Sequence, residues 1–112
     1  MLADPAAFGL PVQSMEAICA VLARHPRVLR ADIYGSRAKG NFRAGSDIDI
    51  TLIGDELTLG DLLKIEGEID DLDLPYSVDL SLCAQIENPA LRSHIERIGQ
   101  VIYRAPTSQV IA

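Results

Sequence analysis

The sequence predicts an α+β (mixed α/β) fold: a small mixed β-sheet of about four strands with helices packed on it. Three observations carry this. Two segments, Asp47–Ile53 (DIDITLI) and Tyr76–Leu82 (YSVDLSL), alternate apolar and polar residues with the period of two that a half-buried strand requires. The stretches before, between and after them space their apolar residues as helices do. A chain of 112 residues, 48% hydrophobic and 23% charged, is sized and composed for one core.

Taken in order, Ser14–His25 sets Met15, Ile18, Cys19 and Leu22 on one helical face, and Pro26 stops that helix. Val28–Tyr34 reads as a strand entering a turn at Gly35-Ser36. A short helix and a glycine-containing basic stretch run from there to Gly45, ahead of the Asp47–Ile53 strand. Leu62, Ile65, Ile69 and Leu72 define a helix over Leu59–Leu72, with Pro75 just beyond it. After the Tyr76–Leu82 strand, Asn88-Pro89 is a helix start, an amide cap followed by proline at the first helical position. Leu91, Ile95 and Ile98 form the buried stripe of that helix, Gly99 ends it, and Val101–Tyr103 is the last strand. The domain is expected to span residues 12–104, with 105–112 as a flexible tail.

Charge narrows the function. Sixteen acids against ten Lys and Arg give a net charge of −6, so no dominant basic face is available to displace counterions from a long nucleic acid. Small anionic substrates remain open if a metal supplies positive charge, and a basic protein partner would suit the surface. No apolar run approaches the roughly 18 residues of a membrane span, and the first ten residues lack the basic and apolar regions of a signal peptide. The expected location is cytoplasmic. Cys19 and Cys83 sit apart in apolar stretches and read as reduced, buried residues. His25 and His94 read as packing or surface residues; neither has zinc-ligand spacing or a neighbouring nucleophile.

Aspartate is disfavoured in strands, yet both alternating strands carry it. In Asp47-Ile48-Asp49-Ile50 both carboxylates fall on one face and the isoleucines on the other. Two residues of strand separate the two Cα atoms by roughly 6.5–7 Å, close enough for leaning side chains to share one ion. Magnesium suits such hard oxygen ligands and keeps waters and substrate phosphates in its shell. The same parity sets Asp79 opposite Val78, Leu80 and Leu82. If the two strands are neighbours, all three acids share a face, where they repel one another unless a cation lies among them. The competing reading is of wet positions on half-exposed strands.

Tyr34-Gly35-Ser36-Arg37 follows a strand directly, and glycine lets such a turn approach a ligand closely. Its N–H groups, the Ser36 hydroxyl and Arg37 are candidate donors to phosphate oxygens. Gly35 and Gly40 have the spacing of a P-loop, but Asn41-Phe42 stand where its Lys and Ser/Thr belong, which excludes that motif. Lys39 and Arg43 make the same stretch basic, although a solvated loop accounts for them equally well.

Gly35-Ser36, ten intervening residues, Asp47-x-Asp49 and a third acid on a later strand resemble the nucleotidyltransferase superfamily that includes the polymerase-beta-like enzymes. The spelling GSRAKGNFRAGSDIDI is most similar to the minimal nucleotidyltransferases (MNT) of prokaryotes. The resemblance covers Val12 to Arg104 and implies the nucleotidyltransferase fold. It implies Asp47 and Asp49 as the metal-ligand pair, Asp79 as a third carboxylate that also activates the attacking hydroxyl, and Gly35, Ser36 and Arg37 at the phosphates. It implies two Mg²⁺ ions and an NTP, with ATP as the expected donor of AMP. The larger enzymes hold their acceptor with a further helical domain for which no sequence follows Tyr103. The minimal family pairs instead with a small helical HEPN protein, a ribonuclease toxin, for which the nucleotidyltransferase is the antitoxin, in some cases by transferring AMP to it.

Two functions are therefore expected to compete: an antitoxin enzyme that transfers AMP to a hydroxyl of a HEPN partner, and a non-catalytic antitoxin that blocks its partner sterically over a vestigial nucleotide site. A plain metal- or nucleotide-binding sensor is a third. The intact Gly35-Ser36 turn and all three aspartates favour the enzyme.

Overall fold

Alternation in the strands decides the layering. In the computed structural model, which describes residues 4–106, four strands form one mixed sheet: β1 (Arg30–Tyr34), β2 (Ile48–Ile53), β3 (Val78–Leu82) and β4 (Gln100–Arg104), in the spatial order β3-β2-β1-β4. β1 is antiparallel to both β2 and β4, and β2 is parallel to β3. The α+β class and the mixed four-stranded sheet are as the sequence predicts.

Ile33 pairs with Ile50, and Ile50 with Leu80, so the apolar members of the three strands line a single face. Helices α1 (Val12–Ala23) and α3 (Leu59–Asp70) cover that face with Met15, Ile18, Val21 and Leu22 from one and Ile65 and Ile69 from the other. Each such side chain withdrawn from water contributes about 1.5–3 kcal/mol before the entropy of ordering it is subtracted. Opposite lie the short helix α2 (Gly35–Lys39), which leaves β1 directly, and α4 (Pro89–Ile98), which packs on α2 and β1. The Asn88 side chain caps α4 by accepting from the amides of Ala90 and Leu91, at 2.9 and 3.3 Å.

The packed chain begins upstream of Val12. Asp4 caps a 3-10 turn at Pro5–Phe8, and Phe8 and Leu10 enter the core. This segment is too short to show a period; its buried residues are Pro5, Phe8 and Leu10. At the other end Ala105 still donates its amide to Leu29 and packs on the core. The rest of the expected tail, 107–112, lies outside the described residues. Cys19 and Cys83 are free and half-buried, and the Cys19 thiol donates to the Ile102 carbonyl at 3.4 Å. Among the described residues no helix is long and apolar enough to cross a membrane.

Helix α3 starts on a capping box: Thr58 Oγ1 accepts the Asp61 amide at 3.2 Å, and Asp61 accepts the Thr58 amide at 3.0 Å. That backbone bond, with the Thr58 hydroxyl and Arg27 adding to it, holds the Asp61 carboxyl below its ordinary value of 3.8. A depressed carboxyl stabilises the fold above its unfolded value, and the contribution is lost as pH falls through the folded one. Asp61→Asn is therefore expected to be less stable than the parent at pH 7, with the two urea-unfolding curves converging as pH falls below the ordinary carboxyl value of 3.8.

Candidate active site

Register assembles the site. β1, β2 and β3 pair so that Tyr34 lies opposite Asp49 and Asp49 beside Asp79, forming one row across the face turned away from the main core. Asp47, two residues before Asp49, sits just ahead of β2 and is exposed, as is Asp79; Asp49 is half-buried. Burial raises the Asp49 carboxyl above its ordinary range, and the negative charges of Asp79 and then Asp47 raise it further. Burial also raises the Tyr34 phenol, opposed by a bond with Ser81 and reinforced by Asp49 and Asp79. Asp49 thus feels the charge of both other expected acids.

A second row on the same face, two residues along the strands, comprises Asp32, Thr51 and Ser81. Asp32 is buried and takes a two-pronged bond from Arg30, at 3.0 and 3.1 Å. The Thr51 hydroxyl is buried without a partner among the described residues, and the Ser81 hydroxyl is buried against the Tyr34 phenol. Nearby, under α4, a cavity of about 420 Å³ is bordered by Asp32, Arg92 and Ile95.

Gly35 closes the first row at its upper end. Its φ of +76° belongs to the left-handed region, and a Cβ there would collide with Asp49 Oδ2. The glycine is needed twice, for its backbone angle and for the space the carboxylate occupies. Its amide donates to His94 Nε2 at 3.0 Å, and the imidazole stands edge-on to Tyr34 with ring centroids 6.2 Å apart. Ser36 follows as the second residue of α2, half-buried beside the carboxylate row. His94 was not expected here. The sequence carried the signal: three residues after Leu91 and four before Ile98, it belongs to the buried face of α4.

Arg37 departs from its expected place at the phosphates. It is 1% exposed, with Nη1 donating to the Phe8 carbonyl at 2.8 Å and both Nε and Nη2 donating to the Ser46 carbonyl, at 3.1 and 2.9 Å. Its guanidinium lies over the rings of both Phe42 and Tyr76, 5.3 and 5.1 Å from their centroids. Arg37 therefore pins the N-terminal segment, the loop before β2 and the chain entering β3 to the phosphate turn, and has no face left for a ligand. One helical step from Ser36, a rotation of about 100°, turns it inward, which adjacency in sequence does not reveal. Lys39 and Arg43 are exposed.

Among the described residues no three carboxylate, imidazole or thiol side chains are gathered around one point as a ready-made metal cage. The donor set nonetheless fits magnesium, which takes hard oxygens and is commonly held by one or two carboxylates, with waters and substrate phosphates completing its shell. The mutual repulsion at Asp49 is what such an ion would relieve.

Residues 16–107 match the family described as Polymerase beta, Nucleotidyltransferase. The chain belongs to that family. Solved structures share the nucleotidyltransferase fold: a toxin-antitoxin with AMP-PNP aligns at TM-score 0.65 and 20% identity over 83% of this chain and 75% of that one. The toxin-antitoxin MntA-HepT aligns at TM-score 0.61 and 17% identity over 85% and 74%. A tri-AMPylated Shewanella oneidensis HEPN toxin in complex with MNT antitoxin aligns at TM-score 0.61 and 18% identity over 83% and 71%. At these identities the likeness is one of fold. No curated protein sequence matches the chain.

Two predictions follow from this geometry. A carboxyl whose folded value is raised lends stability below its unfolded value and loses it as pH rises through the folded one. Asp49→Asn is thus expected to melt higher than the parent at pH 7, with the gap closing as pH falls towards 4; calorimetry across pH checks this. Arg37→Lys, whose single ammonium cannot reproduce the planar fork, is expected to lose about 3 kcal/mol in urea unfolding by leaving carbonyls unpaired.

Proposed function

We propose that this nucleotidyltransferase transfers AMP from ATP to a hydroxyl of a HEPN-like helical partner protein, acting as the antitoxin of the pair in the cytoplasm. The observation that carries the reading is the in-register Asp49–Asp79 pair, with Asp47 beside it and the Gly35-Ser36 turn pressed against Asp49. The structural neighbours add support: one holds AMP-PNP, and one is a complex whose HEPN toxin is tri-AMPylated.

On this reading Asp47, Asp49 and Asp79 hold Mg²⁺, which when bound supplies positive charge to the triphosphate and to the developing transition state. The Ser36 hydroxyl donates to a phosphate oxygen and fixes the chain of phosphates along the turn. Asp79, the most open of the β-strand carboxylates, takes the proton of the attacking hydroxyl. The hydroxyl oxygen bonds to the α-phosphorus, the bond from that phosphorus to the bridging oxygen breaks, and pyrophosphate leaves with the electron pair. The exposure of Asp47 and Asp79 leaves this row open on the side from which a protein acceptor must arrive. The acidic balance of the chain suits a basic, RNA-binding partner.

Intact-mass spectrometry of the partner, incubated with this protein, Mg²⁺ and each NTP in turn, tests the reading. An AMP-sized gain is expected with ATP, falling at least a hundredfold in rate with Asp47→Ala/Asp49→Ala, in line with the weight of electrostatic stabilisation in such sites. Partner inhibition that survives the double substitution with no mass gain would instead establish a steric antitoxin.

A further inference from the structure

A short helix needs acceptors for its first amides, and its N-cap residue is the usual source. Here the N-cap of α2 is Tyr34, whose side chain makes no capping bond. The acceptor comes instead from 59 residues away in sequence: His94 Nε2 takes the Gly35 N–H at 3.0 Å. That bond needs the Nε2 lone pair, so the proton of the neutral ring lies on Nδ1. The ring is itself held, edge-on against Tyr34 and beside the buried Ile95 of α4.

Gly35 is consequently fixed from two sides. His94 grips its amide, and on the other side its Cα is pressed so closely to Asp49 Oδ2 that no Cβ fits between them. Motion of the turn towards α4 or towards β2 is blocked by one contact or the other. Gly35, Ser36 and Asp49 are the parts of the site that the proposed reaction needs in a constant relation.

We infer that His94 is a positioning residue: it caps α2 through Gly35 and so holds the glycine–serine turn in its triphosphate-binding form against Asp49. The inference deepens the nucleotidyl-transfer reading and rests on it for the identity of the ligand, but not for the contact itself. His94 touches no reacting atom on this account. Its effect is on how well nucleotide is bound, and an acceptor of similar reach supplies it as well as imidazole does.

The protein is small enough for direct observation of the bond. In uniformly ¹⁵N-labelled full chain, a through-hydrogen-bond coupling between the Gly35 amide nitrogen and His94 Nε2 is expected, and its absence would overturn the inference. Binding of AMP-PNP with Mg²⁺ is then measured for the parent, His94→Ala and His94→Gln. His94→Ala is expected to weaken binding about five- to tenfold, the worth of one hydrogen bond, and to speed amide exchange at Gly35 and Ser36. His94→Gln, whose side-chain oxygen restores an acceptor, is expected to bind within about twofold of the parent. In transfer assays the Ala loss should sit in the KM for ATP, with kcat little changed. Parent-like binding by His94→Ala, or no rescue by His94→Gln, would sink the positioning role. If the parent itself fails to bind nucleotide, the transfer reading is what fails, while the coupling and the exchange rates still decide whether His94 holds the turn.

Discussion

The register of β1, β2 and β3 is the constraint on which the site depends. Because side chains alternate along a strand, the pairing that sets Ile33, Ile50 and Leu80 together under α1 and α3 also sets Tyr34, Asp49 and Asp79 together on the reverse face. A slip of one residue in β2 would carry Asp49 into the core and Ile50 out of it. The apolar face therefore enforces the geometry of the polar one: the stability of the fold and the placement of the carboxylates are the same fact seen from two sides of the sheet.

That arrangement concentrates like charge where it is least comfortable. Asp49 is half-buried beside one carboxylate in register and another two residues away, and its raised carboxyl value records the cost. The molecule offsets this elsewhere. Arg37 ties two separate segments to the turn through backbone carbonyls and a third through the Tyr76 ring, the capping box starts α3, and Asn88 starts α4. Such anchors hold the polar face rigid without placing counter-charges in it. A lysine or arginine within the carboxylate row would stabilise the isolated protein, and would also neutralise the charge that makes the row suited to a divalent ion.

Most of this was legible in the sequence because it rests on short-range periodicity. Strict alternation through Asp47–Ile53 and Tyr76–Leu82 gave both the strands and the face each aspartate occupies, and Asn88-Pro89 and Gly99 bounded α4. What alternation could not supply was contact between residues distant in sequence. Arg37 looked like a phosphate ligand because it adjoins the turn; its actual partners, Phe8, Ser46, Phe42 and Tyr76, come from both sides along the chain, and no local pattern announces them. Phe8 and Leu10 fall outside the expected domain because a 3-10 turn has too few residues to show a period. His94 is a different kind of case: its helical phase marks it as a packing residue, but nothing local to α4 names the Gly35 amide as its partner.

The inward turn of Arg37 also changes how positive charge must reach the substrate. With that guanidinium buried among carbonyls and rings, the cations left near the turn are Lys39 and Arg43, both exposed and therefore screened by solvent. Against them stand three carboxylates and a chain of net charge −6. A triphosphate approaching this face meets repulsion that hydrogen bonds from a neutral turn, each with a net worth of about a kilocalorie per mole, do not overcome. On the proposed reading the divalent ion is then more than a catalyst of the chemical step. It is the condition for nucleotide to bind at all, because the protein has committed its one well-placed arginine to holding the turn in shape.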